Sequence, residues 1–201
     1  MDPEKLPNGR ILELLERFDP PTALHCKRVS TLSEAIGAGF GLAGEDLAQL
    51  ALAGLLHDVG MLEIPKSILR KTSALSYEEE TILKRHVEKG VRLAEAAGYS
   101  PVVVEVIRQH HERLDGSGYP YGLVGEQIGW YSRIVAVADV FTAMTDERPY
   151  RRALSEKMVI GELKRDRKFD REVVGVLEKY LASPSGRIFA SRLRFLNRDN
   201  Y

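Results

Sequence analysis

Hydrophobic residues are spaced as in helices along nearly the whole chain. Apolar side chains recur at steps of three and four residues, and glycine and proline separate these segments without marking hairpins. With 201 residues, the chain is long enough to bury a hydrophobic core and short enough to form one unit. The pattern therefore predicts an all-α fold.

Local residues suggest where the helices begin and end. Thr22 is expected to cap the second helix, residues 76–79 have capping-box spacing, and Ser100 precedes a proline at a first helical position. Gly60 is expected to end the third helix. Residues 116–129 are predicted as loop. The predicted helices cover about 9–18, 24–38, 45–59, 76–98, 101–113, 132–146, 155–165 and 170–182.

The charge balance, the apolar runs and the cysteine content limit what the chain binds and where it is located. Lys plus Arg and Asp plus Glu both number 29, so no chain-wide basic field indicates a nucleic-acid or membrane partner. The N-terminus lacks the apolar core of a signal peptide, and no uncharged run is long enough to span a membrane. Cys26 is the single cysteine, which excludes an internal disulfide and favours a small buried side chain. We therefore expect a cytoplasmic protein.

All five histidines fall on the predicted inward faces of helices, together with two aspartates. One buried histidine is usually a core residue with a hydrogen bond. Five imidazoles and two carboxylates are different, because buried carboxylates without a cation or several donors are costly. Metal ions remove this cost by taking the side chains as ligands. The set suits two six-coordinate ions, such as iron or manganese, better than one closed zinc site.

Six motifs resemble the HD-GYP family in their order and spacing, over about residues 22–182. They are H-x-x-R-V at 25–29, LLHDVG at 55–60, IPKSIL at 64–69, HVEKG at 86–90, HHERLDGSGYP at 110–120 and VADVFTAMTDERPYR at 137–151. The resemblance implies an HD-superfamily helical domain at 22–182 with a metal centre inside the helix bundle. Residues 1–21 would form a helical extension, and residues 183–201 a basic tail that is either helical or extended.

Similarity to this family implies a bacterial signalling phosphodiesterase that hydrolyses cyclic di-GMP to pGpG, GMP or both. The family pattern assigns one metal to His25, His57, Asp58 and Asp139, and the other to Asp58, His86, His110 and His111. It makes His57 and Asp58 the catalytic pair. It assigns substrate binding to a last set of residues, which are Gly118, Tyr119, Arg148 and Arg151.

Three positions depart from the family pattern. Met61 stands where a lysine usually contacts substrate phosphate, and Thr142 stands where an aspartate is usual. Pro21 replaces the glutamate of members with a third metal, so two ions are expected.

An alternative function is a metal-bound but catalytically weak module, which senses a nucleotide or docks a signalling protein through the loop of Gly118, Tyr119 and Pro120. A hydrolase of another nucleotide is a third possibility.

Overall fold

The computed structural model describes residues 11–146 and 153–196, and every regular secondary-structure element named within them is helical. This confirms the predicted all-α fold. Two short 3-10 turns, Val59–Glu63 and Gly125–Gln127, add to the α-helices. The α-helices are α1 (Ile11–Phe18), α2 (Pro20–Gly39), α3 (Gly44–Leu56), α4 (Lys66–Leu69), α5 (Tyr77–Lys84), α6 (His86–Ala96), α7 (Pro101–Gln109), α8 (Trp130–Thr145), α9 (Glu156–Arg165), α10 (Arg171–Ala182) and α11 (Pro184–Leu196).

Helices α2 and α8 lie at the centre of the bundle. Helix α2 packs against α1, α3, α8 and α10, while α8 also packs against α7 and α9. Their inward faces carry Leu32, Ile36 and Phe141, all fully buried. Burying a side chain of this size contributes about 1.5–3 kcal/mol relative to leaving it exposed. The same two helices carry two of the predicted metal ligands, so the core fixes where those ligands lie.

Several predicted helix starts are confirmed. Ser76 forms a capping box with Glu79, and the Ser100 side chain accepts a hydrogen bond from the backbone of Val103. The prediction for Thr22 is wrong, because α2 begins two residues earlier, at Pro20. Asp19 is the capping residue, and its carboxylate accepts from the Thr22 backbone N–H and hydroxyl. Proline is tolerated in a first helical turn, where its missing N–H would have no partner.

Three predicted helices are shorter than the hydrophobic pattern indicates. Helix α3 ends at Leu56, α7 ends at Gln109, and the predicted helix over 76–98 is divided at Arg85. The backbone N–H of Arg85 bonds to the Ile82 carbonyl, three residues back, which tightens the chain there. Apolar spacing continues across these breaks and does not reveal them. Each break lies directly beside a predicted metal ligand.

Gly60 does not end a helix as predicted. It lies within the 3-10 turn Val59–Glu63, packed against the backbone of α6. A Cβ atom at this position would lie 1.8 Å from the carbonyl oxygen of His86 and 2.6 Å from the backbone nitrogen of Gly90. Glycine is required because two backbone segments touch here.

The last helix decides between the two predictions for the tail, since Pro184–Leu196 is helical.

Helix α4 was not predicted from the sequence. Among the helices of the described residues, none has both the length and the apolar character needed to cross a membrane. The division of the chain at residues 22 and 182 stays a prediction.

Candidate metal centre

The seven side chains predicted as metal ligands converge from five segments of the chain. These residues are His25 in α2, His57 and Asp58 just after α3, His86 at the start of α6, His110 and His111 just after α7, and Asp139 in α8. Their ligand atoms include two groups, in each of which the atoms lie within 4.8 Å of one another. The groups are Asp58 with His86, His110 and His111, and Asp58 with His25 and His57. Asp58 belongs to both.

The Asp58 carboxylate lies between imidazoles of the two groups. Its Oδ2 is 3.3 Å from His57 Nε2, while its Oδ1 is 3.3 Å from His86 Nε2 and 3.7 Å from His110 Nε2. The second carboxylate, Asp139, completes the other side, where its Oδ1 lies 3.0 Å from His25 Nε2 and 4.0 Å from His57 Nε2. Two carboxylates are thus placed among nitrogen donors, as a pair of neighbouring cations requires.

Three of the histidines are held in one tautomer by the backbone. The Nδ1 atoms of His57, His86 and His110 lie 2.8, 2.8 and 2.9 Å from the carbonyl oxygens three residues earlier in the chain. A carbonyl oxygen only accepts, so each Nδ1 carries the proton and donates it. In the neutral ring the Nε2 lone pair is then free and points into the site. Metal-bound histidines are oriented in this way in proteins.

Several polar atoms at the site need a cation. The Nε2 atoms of His86 and His110 face each other at 3.4 Å, although the tautomers just described give both a lone pair. Within the described residues, His57 Nε2 and Asp58 Oδ1 are buried and form no hydrogen bond. Buried polar atoms are rarely left in this way. The donor set therefore fits metal ions placed between these atoms.

Burial and the neighbouring charges act in opposite directions on the acids and bases of the site. Burial alone would raise the pKa of Asp58, but the neighbouring imidazoles of His57 and His110 hold that pKa well below its usual range. Burial lowers the pKa of His25, yet the neighbouring carboxylates of Asp139 and Asp146 raise it to about 9. The acids are therefore ionised and able to bind a cation.

His111 has the opposite environment. Burial, and then the proximity of the His110 imidazole, hold the pKa of His111 well below its ordinary value. Its ring is neutral at physiological pH as a result. A neutral imidazole is the form that donates a nitrogen lone pair to a metal ion.

Asp146 and Arg28 form a second layer around His25. Asp146 Oδ2 lies 3.7 Å from His25 Nδ1, and its Oδ1 accepts a hydrogen bond from the buried Arg28 guanidinium. His25 therefore has one carboxylate at each ring nitrogen. Asp146 was not among the residues predicted for the site. It lies seven residues after Asp139, as the residue that caps the C-terminus of α8, and a second acid at a spacing of two helical turns was an available signal.

The predicted substrate residues Gly118 and Tyr119 lie beside the metal centre. The half-buried Tyr119 ring stacks on His111, with centroids 4.6 Å apart and an interplanar angle of 26°. Lys84, also missed from the sequence, has its Nζ 5.3 Å from the centroid of the same ring. Gly118 packs against the backbone of residues 111–113, where a Cβ would lie 2.4 Å from the Glu112 Cα. Close packing is thus the role that the structure gives to Gly118.

Arg148 and Arg151, the other predicted substrate residues, lie outside the described residues. Met61 is partly buried and packs against the hydrophobic core. Thr142 is fully buried and its hydroxyl donates to the Ala138 carbonyl, and Pro21 is exposed in the first turn of α2. Cys26 is fully buried, as expected.

Comparisons with known proteins identify relatives over most of the chain. The family model of the HD domain matches residues 9–173. The cyclic di-GMP phosphodiesterase response regulator RpfG of Xanthomonas campestris pv. campestris is 37% identical over 173 residues, which cover 84% of this chain and 46% of that protein. The 3'3'-cGAMP-specific phosphodiesterase 1 of Vibrio cholerae is 39% identical over 145 residues, covering 72% of this chain and 34% of that protein. The chain thus spans less than half the length of these relatives.

A solved structure shares the fold. Bd1817, an HDG"Y"P protein from Bdellovibrio bacteriovorus, superposes with a TM-score of 0.68, covering 88% of this chain and 58% of that chain. The sequence identity of this pair is 22%. The likeness shows a common arrangement of helices.

Proposed function

Since the chain belongs to the HD domain family and carries the HD-GYP motifs, we propose that it is a metal-dependent phosphodiesterase that hydrolyses cyclic dinucleotides, chiefly cyclic di-GMP. The products would be the linear dinucleotide pGpG, GMP or both. The observation that carries the proposal is the pair of ligand groups joined by one carboxylate, Asp58. Relatives named as cyclic di-GMP phosphodiesterases support the choice of substrate, and those named for 3'3'-cGAMP make it the second substrate to test.

The proposed cofactors are two divalent ions, most readily iron or manganese. One ion would be held by His25, His57, Asp58 and Asp139, and the other by Asp58, His86, His110 and His111. Nitrogen and carboxylate donors in this number favour six-coordinate ions over a closed structural zinc site. When bound, the ions would supply charge stabilisation to the phosphoryl oxygens and activate water for attack on phosphorus.

The residues of the chain give this chemistry its geometry. Asp58 would fix the spacing between the two sites, because its two oxygens face imidazoles of different groups. The backbone carbonyls bonded to His57, His86 and His110 would keep the Nε2 lone pairs directed at the ions. Ligands that are already oriented do not have to reorganise when charge develops on the phosphate.

Substrate would be held at the Tyr119 side of the centre. The exposed Lys84, close to the Tyr119 ring, offers a cation for a phosphate group on the side of His86 and His111. Arg148 and Arg151, whose planar guanidinium groups suit phosphate oxygens, are proposed as further contacts. Together with the stacked tyrosine, these residues would bind a dinucleotide rather than a simple phosphomonoester.

The second candidate function is a metal-bound signalling module of low activity, which binds a nucleotide or docks a protein through the loop of Gly118, Tyr119 and Pro120. Two observations favour it. Met61 brings no charge to the position where the family has lysine, and the buried Thr142 hydroxyl is engaged with its own helix.

One experiment tests both functions. Protein loaded anaerobically with iron, or with manganese, is incubated with cyclic di-GMP and with 3'3'-cGAMP, and the products are separated by chromatography. We expect pGpG or GMP from cyclic di-GMP, and no product from the Asp58→Ala variant. Nucleotide binding without turnover at full metal loading would favour the signalling module instead.

A further inference from the structure

Glu112 is a buried acid that directly follows the paired histidines and is not one of the predicted ligands. Only 2% of its surface is exposed. Its Oε1 accepts a hydrogen bond from the backbone N–H of Tyr121 at 2.7 Å, and its Oε2 accepts one from the backbone N–H of Leu123 at 3.0 Å. One carboxylate thus connects the end of the histidine segment to a loop about ten residues later.

These bonds are of the strong kind. A carboxylate that accepts from backbone N–H groups forms charge-assisted hydrogen bonds, which are shorter and stronger than those between neutral groups. Because the carboxylate is buried, losing them would leave it without the donors that compensate for its desolvation. The loop is therefore tied firmly at Tyr121 and Leu123.

The tied segment directly follows Tyr119, which contacts the metal centre. The Tyr119 backbone N–H donates to the His111 carbonyl at 3.2 Å, and its ring stacks on the His111 ring. Gly118 packs against the backbone of residues 111–113. An isolated bridge between Asp115 and Val124 closes the base of the loop. The Glu112 bonds lie between this bridge and Tyr119, where they limit movement of the ring away from His111.

We propose that Glu112 is a positioning residue, which holds the loop of residues 118–123 so that Tyr119 stays stacked on His111 and forms one wall of the substrate pocket. The inference rests on the proposed function for the nature of the substrate. Glu112 acts through Tyr119 and binds neither substrate nor metal. Its loss should therefore weaken substrate binding more than the chemical step.

The test uses Glu112→Gln in the metal-loaded protein. The amide keeps the shape of the side chain but places an NH₂ group against one of the two N–H donors, so at least one bond is lost. We expect the KM for cyclic di-GMP to rise about tenfold, the value for losing one hydrogen bond to a charged group, with kcat changed less than about threefold. Metal content should stay at the wild-type level.

The matched control is Glu126→Gln, since Glu126 is an exposed acid in the same loop region. It should leave KM, kcat and metal content unchanged. Loss of metal from Glu112→Gln in parallel with its activity would overturn the proposal, because Glu112 would then act on the neighbouring histidines. An unchanged KM would overturn it as well.

Hydrogen exchange of the wild-type protein gives a measurement that needs neither activity nor a folded variant. The amides of Tyr121 and Leu123 should be protected relative to the exposed loop around Ser117. Fast exchange at both amides would refute the proposed contact even if the enzyme is active. If the wild-type protein turns over no cyclic dinucleotide, the proposed function fails, while protection of these amides would still support the loop contact.

Discussion

Replacing Asp146 by asparagine should weaken one metal site and the fold together. The carboxylate accepts from the Arg28 guanidinium and lies 3.7 Å from His25 Nδ1. The side chains of Arg28 and Asp146 are only 8% and 13% exposed. Asparagine keeps the shape but removes the charge, so Arg28 loses an ionic partner at the C-terminal end of α8, and His25 loses the carboxylate at Nδ1.

The expected loss of stability follows from the burial of the Arg28–Asp146 pair. The expected loss of metal affinity follows from the position of Asp146 beside the candidate ligand His25. Breaking a buried ion pair from one side costs about 3–5 kcal/mol. We expect the lower end, about 3 kcal/mol, because the asparagine oxygen can still accept from Arg28. For a domain of this size, that corresponds to a fall in Tm of roughly 6–12 °C. Removing an outer partner of a metal-bound histidine lowers metal affinity by about 10- to 100-fold.

Stability is measured by urea unfolding with chelator present, and metal affinity by titration against a chromophoric chelator. Only the site containing His25 should weaken, while the site of His86, His110 and His111 keeps its affinity. Glu178→Gln is the control, since it removes an acid from the half-exposed pair with Lys164 and should cost no more than about 1 kcal/mol. Wild-type stability and affinity for Asp146→Asn, or equal weakening of both sites, would refute this reasoning.

Three further outcomes are expected. Asp58→Ala should lose both ions and His86→Ala only one, because Asp58 belongs to both ligand groups. Elemental analysis of the reconstituted protein measures this. A single ion in the wild-type protein would contradict it. Gly60→Ala should lower both the midpoint of urea unfolding and the metal content, because the new Cβ would lie 1.8 Å from the His86 carbonyl oxygen. An unfolding midpoint equal to that of the wild-type protein would count against the close backbone contact. Met61→Lys should raise kcat/KM about tenfold by adding a bond to substrate phosphate, with metal content constant; no gain would show that the missing lysine does not limit turnover.

The sequence predicted the fold because the hydrophobic spacing and the helix caps are local signals. Ser76 and Glu79 form their capping box as predicted. The division of a helix at Arg85 was missed, because a turn tightened by one short-range bond leaves the apolar spacing intact. Asp19 caps α2 in place of the predicted Thr22, because the helix begins earlier than predicted, with proline in its first turn.

The seven candidate metal ligands could be singled out from the sequence because their polar character conflicts with the faces on which they lie. The groups that orient them were not visible in this way. Asp146 meets Arg28 across 118 residues of chain, and no local pattern links the two. Glu112 looked like an ordinary acid next to a histidine pair, and its role depends on backbone N–H groups that any residues could supply.

The bonds from His57, His86 and His110 to carbonyls three residues earlier have a consequence for how such a site evolves. Each ring obtains its proton arrangement from its own stretch of backbone, so the choice of coordinating nitrogen is inherited with the helical turn. Neighbouring side chains can then change without altering which nitrogen would face a metal ion. Asp58 and Asp139, whose contacts with His86, His110 and His25 come from distant segments, have no such protection. Divergence within a lineage should therefore alter metal preference and substrate choice through the carboxylates and the outer residues, long before it disturbs the imidazoles.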